Sequence, residues 1–130
     1  MNPVVHFEMP AKDGKRMSDF YSKTFGWNTQ QLGGEMGNYI LASTTETDAQ
    51  GHPQRPGAIN GGFYQRTDDP VSHAPSVVIS VPNLQDHIKK VTAGGGKIIG
   101  EPMEIPGVGM WASFFDTEGN RVSMLQPNQM

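Results

Sequence analysis

The sequence predicts an α+β fold in which two βαβββ modules form one curved, mixed sheet around a cavity. Strand and helix patterns occur twice in the same order along 130 residues, a length that suits one domain. Glycine and proline are abundant, with 16 and 10 copies, so many turns and little long helix are expected. Four strands with one helix cannot bury their apolar face well alone, so the two half-sheets are expected to pack side by side.

The first module begins with a strand and an amphipathic helix. Residues 4–9 alternate in polarity, which predicts a half-buried strand with His6 and Glu8 on one face. Asp13 can cap a helix, and apolar residues then recur at helical spacing until Gly26, which favours a stop. Two further strands are predicted at 38–43 and 58–64, separated by an exposed polar loop.

The second module repeats this order, with one more predicted strand after its helix. A strand at 77–81 precedes a helix that Asn83 can cap and that the glycines from Gly94 can end. Further strands are predicted at 97–99, 110–115 and 121–126, between segments of turn composition. We therefore expect a single domain over 1–130, with one module at about 1–66 and the other at about 75–127.

Composition excludes several classes of function. Cysteine is absent, which excludes disulfides, thiolate nucleophiles and cysteine-bound metals. The net charge is −3, so we expect no basic face of the kind that binding to nucleic acids or anionic membranes requires. No run of about 18 apolar residues occurs and the start does not resemble a signal peptide. We expect a cytoplasmic protein with no nucleic-acid or membrane partner.

Three segments carry motifs that occur together in order. The opening VVHFEMPAKDGKRMSDFYSKTFGW is a strand, a loop, a helix with Phe-Tyr and a Phe-Gly-Trp exit. SVVISVPNLQDHIKKVTAGGGKIIGEP is a strand, a helix and a Gly-Gly turn, and FFDTEGNRVSMLQP contains an Asp-x-x-Gly-Asn hairpin. Over essentially the whole chain, these segments resemble the vicinal oxygen chelate superfamily of glyoxalases, bleomycin resistance proteins and extradiol dioxygenases.

The resemblance implies a U-shaped sheet around a small-molecule cavity, usually in a homodimer. In metal-dependent members, four side chains that face the cavity bind one divalent ion. His6 matches the first of these positions, and the other three fall by motif on Gly61, Ser76 and Ser123. Glycine and serine do not provide the imidazole, carboxylate or thiolate that zinc, nickel or iron requires. We therefore predict no tightly bound metal and no other cofactor, and a divalent ion remains the alternative.

His6 and Glu8 are the candidates for acid–base chemistry. Their i, i+2 spacing places both side chains on one face of a strand. They could act as an acid–base pair or as a partial metal site, or they could only form hydrogen bonds with polar neighbours. His52, His73 and His87 are expected in loops or on a helix surface, where histidine is commonly solvated.

Small and aromatic residues complete the predicted site. Small side chains at the family ligand positions leave volume for an organic molecule, unless the cavity is collapsed. Aromatic residues could form its walls, although aromatic residues on strands are more often core or interface. The predicted ligand-binding residues are Tyr39, Gly61, Phe63, Ser76, Trp111 and Ser123, with His6 and Glu8 as polar anchors.

These observations favour binding of a small organic molecule without a tightly bound metal. The alternative is a divalent-metal-dependent lyase, isomerase or dioxygenase with an atypical ligand set, in which Glu8 could serve as general base. A third possibility is a subunit whose cavity is filled and whose surface binds another protein. The sequence does not decide whether the protein is an enzyme.

Overall fold

A computed structural model of the chain describes residues 1–34 and 37–128. Within these residues, strands and helices follow the order βαβββ twice, so the predicted α+β class is confirmed. The first set comprises β1 (Val4–Ala11), α1 (Gly14–Phe25), β2 (Asn28–Gln31), β3 (Ile40–Ser43) and β4 (Asn60–Gln65). The second set comprises β5 (Ser76–Ser80), α2 (Leu84–Ala93), β6 (Lys97–Ile105), β7 (Gly109–Phe115) and β8 (Arg121–Pro127).

The chain divides into two compact units, which we describe separately. The N-terminal unit is His6–Pro75, and the C-terminal unit combines Met1–Val5 with the chain from Ser76 onward. The first five residues were predicted to belong to the first module. They group with the second because the Pro3 carbonyl accepts a hydrogen bond from Ser80 N at 2.9 Å, and because the Asn2 amide lies 3.1 Å from the His87 ring.

The N-terminal unit has a mixed sheet in the order β2-β3-β4-β1. β1 and β4 are parallel, and the other neighbouring pairs are antiparallel. Phe63 of β4 is 1% exposed and lies in the core beneath α1. On that core, the rings of Tyr21 and Trp27 stack at 4.6 Å between centroids. The other buried members of this core are Ala11, Ile40 and Ala42.

The predicted ends of α1 are confirmed. Asp13 Oδ1 accepts a hydrogen bond from Arg16 N at 3.0 Å, which satisfies a backbone donor in the first turn. Gly26 adopts a φ of 76° at the other end, where a residue with a side chain would be strained. The two caps therefore satisfy backbone groups at both ends of the helix.

β2 was not identified as a strand in the sequence. Its residues, Asn-Thr-Gln-Gln, are polar and show no apolar alternation. The strand lies at the edge of the sheet, where pairing with β3 rather than burial holds it in place. Tertiary pairing therefore overrides local composition in this segment.

The C-terminal unit has its own sheet order, β5-β8-β7-β6, and its own core. β5 is parallel to β8, and the remaining pairs are antiparallel. α2 is capped by Asn83 and ends at Gly94, as predicted. Leu84 N also donates to Gln126 Oε1 of β8 at 2.8 Å, which ties the helix start to the sheet. The buried core consists of Val81, Leu84, Ala112 and Met124.

β6 is longer than the predicted strand at 97–99. It continues to Ile105 through a shift of register between Ile99 and Met103. Gly100 has a φ of 67° within that irregular stretch, a conformation that favours glycine. The predicted strand stops at residue 99, whereas the observed strand continues beyond the irregularity that Gly100 accommodates. Neither described helix is long and apolar enough to cross a lipid bilayer.

Candidate functional site

Three polar side chains meet on the face of the N-terminal sheet that is turned away from α1. The Tyr39 hydroxyl lies 3.1 Å from His6 Nε2, and it donates a hydrogen bond to Glu8 Oε2 at 3.3 Å. All three side chains are partly buried. We call His6, Tyr39 and Glu8 the polar triad. His6 and Glu8 share this face because they alternate along β1 with Phe7 and Met9, which pack on the core below α1.

Gly62 makes the polar triad possible. It pairs with Glu8 of β1 on one side and with Leu41 of β3 on the other. A Cβ atom added at Gly62 would overlap the phenol ring of Tyr39, with atoms as near as 2.0 Å. The Tyr39 ring therefore lies directly over the Gly62 backbone, and this position brings its hydroxyl to His6 and Glu8. Gly62 was not among the predicted site residues, although a glycine inside a strand can indicate close approach of another group.

Burial and charge shift the ionisation of the triad. Burial lowers the pKa of the His6 imidazole from its ordinary value of 6.5, so the neutral ring is favoured. Burial also raises the pKa of the Tyr39 phenol above its ordinary value of 10.0. The negative charge of Glu8 and its hydrogen bond to the hydroxyl raise it further. At neutral pH, Tyr39 therefore retains its proton.

The predicted placement of Gly61 and Phe63 on the cavity face is wrong. Gly61 is in register with Phe7, and a Cβ atom at Gly61 would lie 2.5 Å from atoms of the Phe7 ring. Phe63 is in register with Met9 and belongs to the core. The residues of β4 that share the face of His6 are one position out of phase with this prediction: Asn60, Gly62 and Tyr64.

The C-terminal unit carries a second polar face. Ser123 is in register with Val78 of β5 and with Ser113 of β7, so Ser76 shares their face. Ser123 is fully buried, and its hydroxyl oxygen lies 3.2 Å from that of Ser113. The Ser76 hydroxyl is also buried, and the described residues provide no hydrogen-bond partner for it. We call Ser76, Ser113 and Ser123 the serine face.

Trp111 and the remaining histidines take different positions. Trp111 of β7 is partly buried and in register with Leu125, on the same side of the sheet as the serine face. His52 lies 3.5 Å from Asp48 in the exposed loop. His73 lies 2.8 Å from the Thr67 carbonyl oxygen, and His87 contacts Asn2. None of these three histidines joins the polar triad among the described contacts.

Similarity to known proteins defines the family of this chain. Residues 4–124 match the sequence profile of the Glyoxalase/Bleomycin resistance protein/Dioxygenase superfamily. A glyoxylase-like domain-containing protein from Didymella fabae is 33% identical over 120 residues, which span 90% of this chain and 88% of the relative. The chain therefore belongs to the glyoxalase/bleomycin resistance/dioxygenase superfamily.

Solved structures share the fold at low sequence identity. A hypothetical protein, BH1468, from Bacillus halodurans has a TM-score of 0.71 and 12% identity, with coverage of 99% of this chain and 96% of that chain. A methylmalonyl-CoA epimerase from Streptomyces coelicolor, in complex with 2-nitronate-propionyl-CoA, also has a TM-score of 0.71 and 12% identity. That comparison covers 100% of this chain and 97% of the epimerase. These likenesses support the fold assignment.

The side chains that the structure describes do not fit the resident divalent ion that the family implies. Within residues 1–34 and 37–128, no group of three or more His, Cys, Asp or Glu residues could hold a metal ion. His6 and Glu8 are two suitable donors, but the Tyr39 hydroxyl contacts both of them. Three protein ligands are usual even for a catalytic site with an open position.

Proposed function

We propose that this protein binds a small organic molecule on the triad face of the N-terminal unit, without a tightly bound metal ion. The observation that carries the proposal is the position of the Tyr39 hydroxyl. It bridges His6, the histidine at the family ligand position, and the carboxylate of Glu8. An ion bound at His6 Nε2 would have to displace that hydroxyl, and an ion bound at Nδ1 would find no group of three His, Cys, Asp or Glu ligands among the described residues. An organic ligand can instead use the triad as a set of fixed polar contacts.

The surroundings of the triad are consistent with this proposal. Organic ligands usually bind in sites that are mostly apolar and contain a few well-placed polar groups. Leu41, Gly62 and Tyr64 share the triad's face and provide apolar or small surface beside it. A related fold accommodates an organic ligand in the epimerase solved with 2-nitronate-propionyl-CoA. The family position that carries His6 is thus proposed to serve ligand binding rather than metal binding.

The serine face is proposed as a separate place for contact with a ligand, within the C-terminal unit alone. A buried hydroxyl without a partner costs free energy, about 1–3 kcal/mol, and such a group in a folded protein requires an explanation. Ser76 has such a hydroxyl. Contact with a polar ligand atom would satisfy it, and Trp111 and Ser123 would lie on the same face as that contact.

We also propose a cytoplasmic homodimer, for which sedimentation of the purified protein should give twice the chain mass.

A thermal-unfolding scan tests the proposed function. Protein stripped with a chelator should show no saturable rise in melting temperature with nickel, zinc, manganese or ferrous ions. Members of a panel of small aromatic and carbonyl compounds should raise it, because a ligand that binds only the folded state stabilises that state by about 2.7 kcal/mol at 100 times its Kd. His6→Ala should reduce the rise for compounds that bind the triad face, and Ser76→Ala should reduce it for compounds that bind the serine face.

One outcome would overturn the proposal in favour of the alternative. A saturable rise with a metal ion that is abolished by His6→Ala would show metal binding at His6. It would favour a divalent-metal-dependent lyase, isomerase or dioxygenase with an atypical ligand set, and lyase and isomerase assays would then follow. No rise with any organic compound, together with no rise with any ion, would count against ligand binding and favour a protein-binding subunit.

A further inference from the structure

The hydrogen bonds of the polar triad have a fixed direction. An ionised carboxylate can only accept hydrogen bonds, so Glu8 accepts and Tyr39 donates. A phenol hydroxyl has a single proton, and Tyr39 donates that proton in its hydrogen bond to Glu8. The remaining contact, between Tyr39 Oη and His6 Nε2 at 3.1 Å, therefore requires a proton on Nε2. His6 donates to Tyr39, and Tyr39 donates to Glu8.

This direction determines the chemistry of the other ring nitrogen. A neutral imidazole with a proton on Nε2 has a lone pair on Nδ1. Burial favours the neutral ring of His6. Among the described residues, Nδ1 of His6 has no hydrogen-bond partner, and it does not belong to the polar atoms that are fully buried without one. The triad therefore leaves an acceptor open on its face of the sheet.

We propose that His6 Nδ1 is a specificity determinant that selects ligands carrying an O–H or N–H donor. This inference rests on the proposed function, because it assumes that the ligand lies on the triad face. Tyr39 and Glu8 act as positioning residues, since they hold the proton on Nε2 and thereby keep Nδ1 unprotonated. An aprotic ligand of the same shape would leave the Nδ1 lone pair without a partner when it displaced water.

The tautomer of His6 can be measured without any ligand. Two-bond ¹⁵N–¹H correlation spectra of labelled protein at pH 8 should show the proton of His6 on Nε2. Tyr39→Phe removes the acceptor for that proton, so the variant should show a mixture of both tautomers. A proton on Nδ1 in the wild-type protein would overturn the inference, and so would a spectrum that Tyr39→Phe does not change.

Ligand selectivity is tested with pairs of compounds that differ in one donor. Phenol is compared with anisole, and benzamide with N,N-dimethylbenzamide, by titration monitored in the same spectra. The donor compound of each pair should bind about tenfold more tightly than its methylated partner, the effect of one well-formed hydrogen bond. Equal affinity within both pairs would overturn the inference while leaving small-molecule binding intact. Failure of all four compounds to bind would instead count against the proposed function. The tautomer experiment would still decide the direction of the hydrogen bonds within the triad.

A substitution separates the two ring nitrogens. In His6→Gln, the side-chain amide N–H can still donate to Tyr39 from the position of Nε2, but no acceptor remains at the position of Nδ1. This variant should retain binding of anisole and lose the tenfold preference for phenol. A preference for phenol that His6→Gln leaves unchanged would contradict the assignment of Nδ1 as the selecting atom.

Discussion

Gly61 and Gly62 are neighbours in β4, yet they make room for two different aromatic rings. The missing side chain at Gly61 is replaced by the ring of Phe7 on the core side of the sheet. The missing side chain at Gly62 is replaced by the ring of Tyr39 on the triad side. Two adjacent residues of the same type thus serve stability on one face and the candidate site on the other.

This difference predicts separate effects for the two alanine substitutions. Gly62→Ala should push the Tyr39 ring away from Glu8 and into solvent, so the pKa of Tyr39 should fall towards its ordinary value of 10.0. Gly61→Ala should displace Phe7 instead and leave the pKa of Tyr39 unchanged. Each substitution should cost about 1–3 kcal/mol of unfolding free energy through overpacking. Absorbance titration of tyrosinate, with the Tyr39→Phe variant subtracted, measures the Tyr39 contribution. Identical tyrosine titrations in both variants would refute the assignment of Gly62.

The residue patterns predict some features of the site and not others. Alternation in β1 correctly places His6 and Glu8 on one face, because strand geometry imposes a period of two. The same argument fails for Gly61 and Phe63, since glycines give no polarity signal by which to choose the phase of β4. The contact of Tyr39 with His6 depends on the pairing of three strands, and no local pattern specifies that pairing.

At the level of elements, contacts between residues close in sequence predict helices and strands more reliably than contacts between distant residues. Both helices begin and end where Asp13, Gly26, Asn83 and Gly94 predict, because capping involves groups only a few residues apart. β2 lacks such a signal. Its polar residues form a strand only because β3 lies beside them. Elements defined by local hydrogen bonds are therefore predictable from this sequence, and elements defined by a distant partner are not.

The cap at Asp13 should have a measurable effect on stability. Asp13→Ala removes the acceptor for Arg16 N and should lower the unfolding free energy by about 0.5–2 kcal/mol, as measured by urea denaturation. Asp19→Ala is a suitable control on the same helix. It removes only the exposed ion pair with Lys15, whose contribution should be at most about 0.5 kcal/mol. A larger loss in the control than in Asp13→Ala would show that the cap is not the stabilising contact.

At the level of the whole molecule, each unit has its own core under its own helix. Phe63 is central to one core and Leu84 to the other, and both are 1% exposed. Within each unit, the candidate polar groups lie on the face of the sheet that is turned away from that unit's core. The helix side of each unit thus supplies stability, while the other side is free to carry groups whose burial is costly, such as the polar triad and Ser76.

The cost of burying the triad predicts how stability depends on pH. The folded protein keeps His6 neutral below pH 6.5, where the unfolded chain binds a proton, so unfolding free energy should fall as pH decreases below about 6.5. Folded Tyr39 retains its proton above pH 10, where the unfolded chain releases it, so unfolding free energy should also fall as pH increases above about 10. Urea denaturation across this range measures both slopes. His6→Gln should flatten the acidic slope and Tyr39→Phe the alkaline one, because each removes the group whose protonation differs between the two states. An alkaline slope that persists unchanged in Tyr39→Phe would mean that the phenol is not held protonated by its burial beside Glu8.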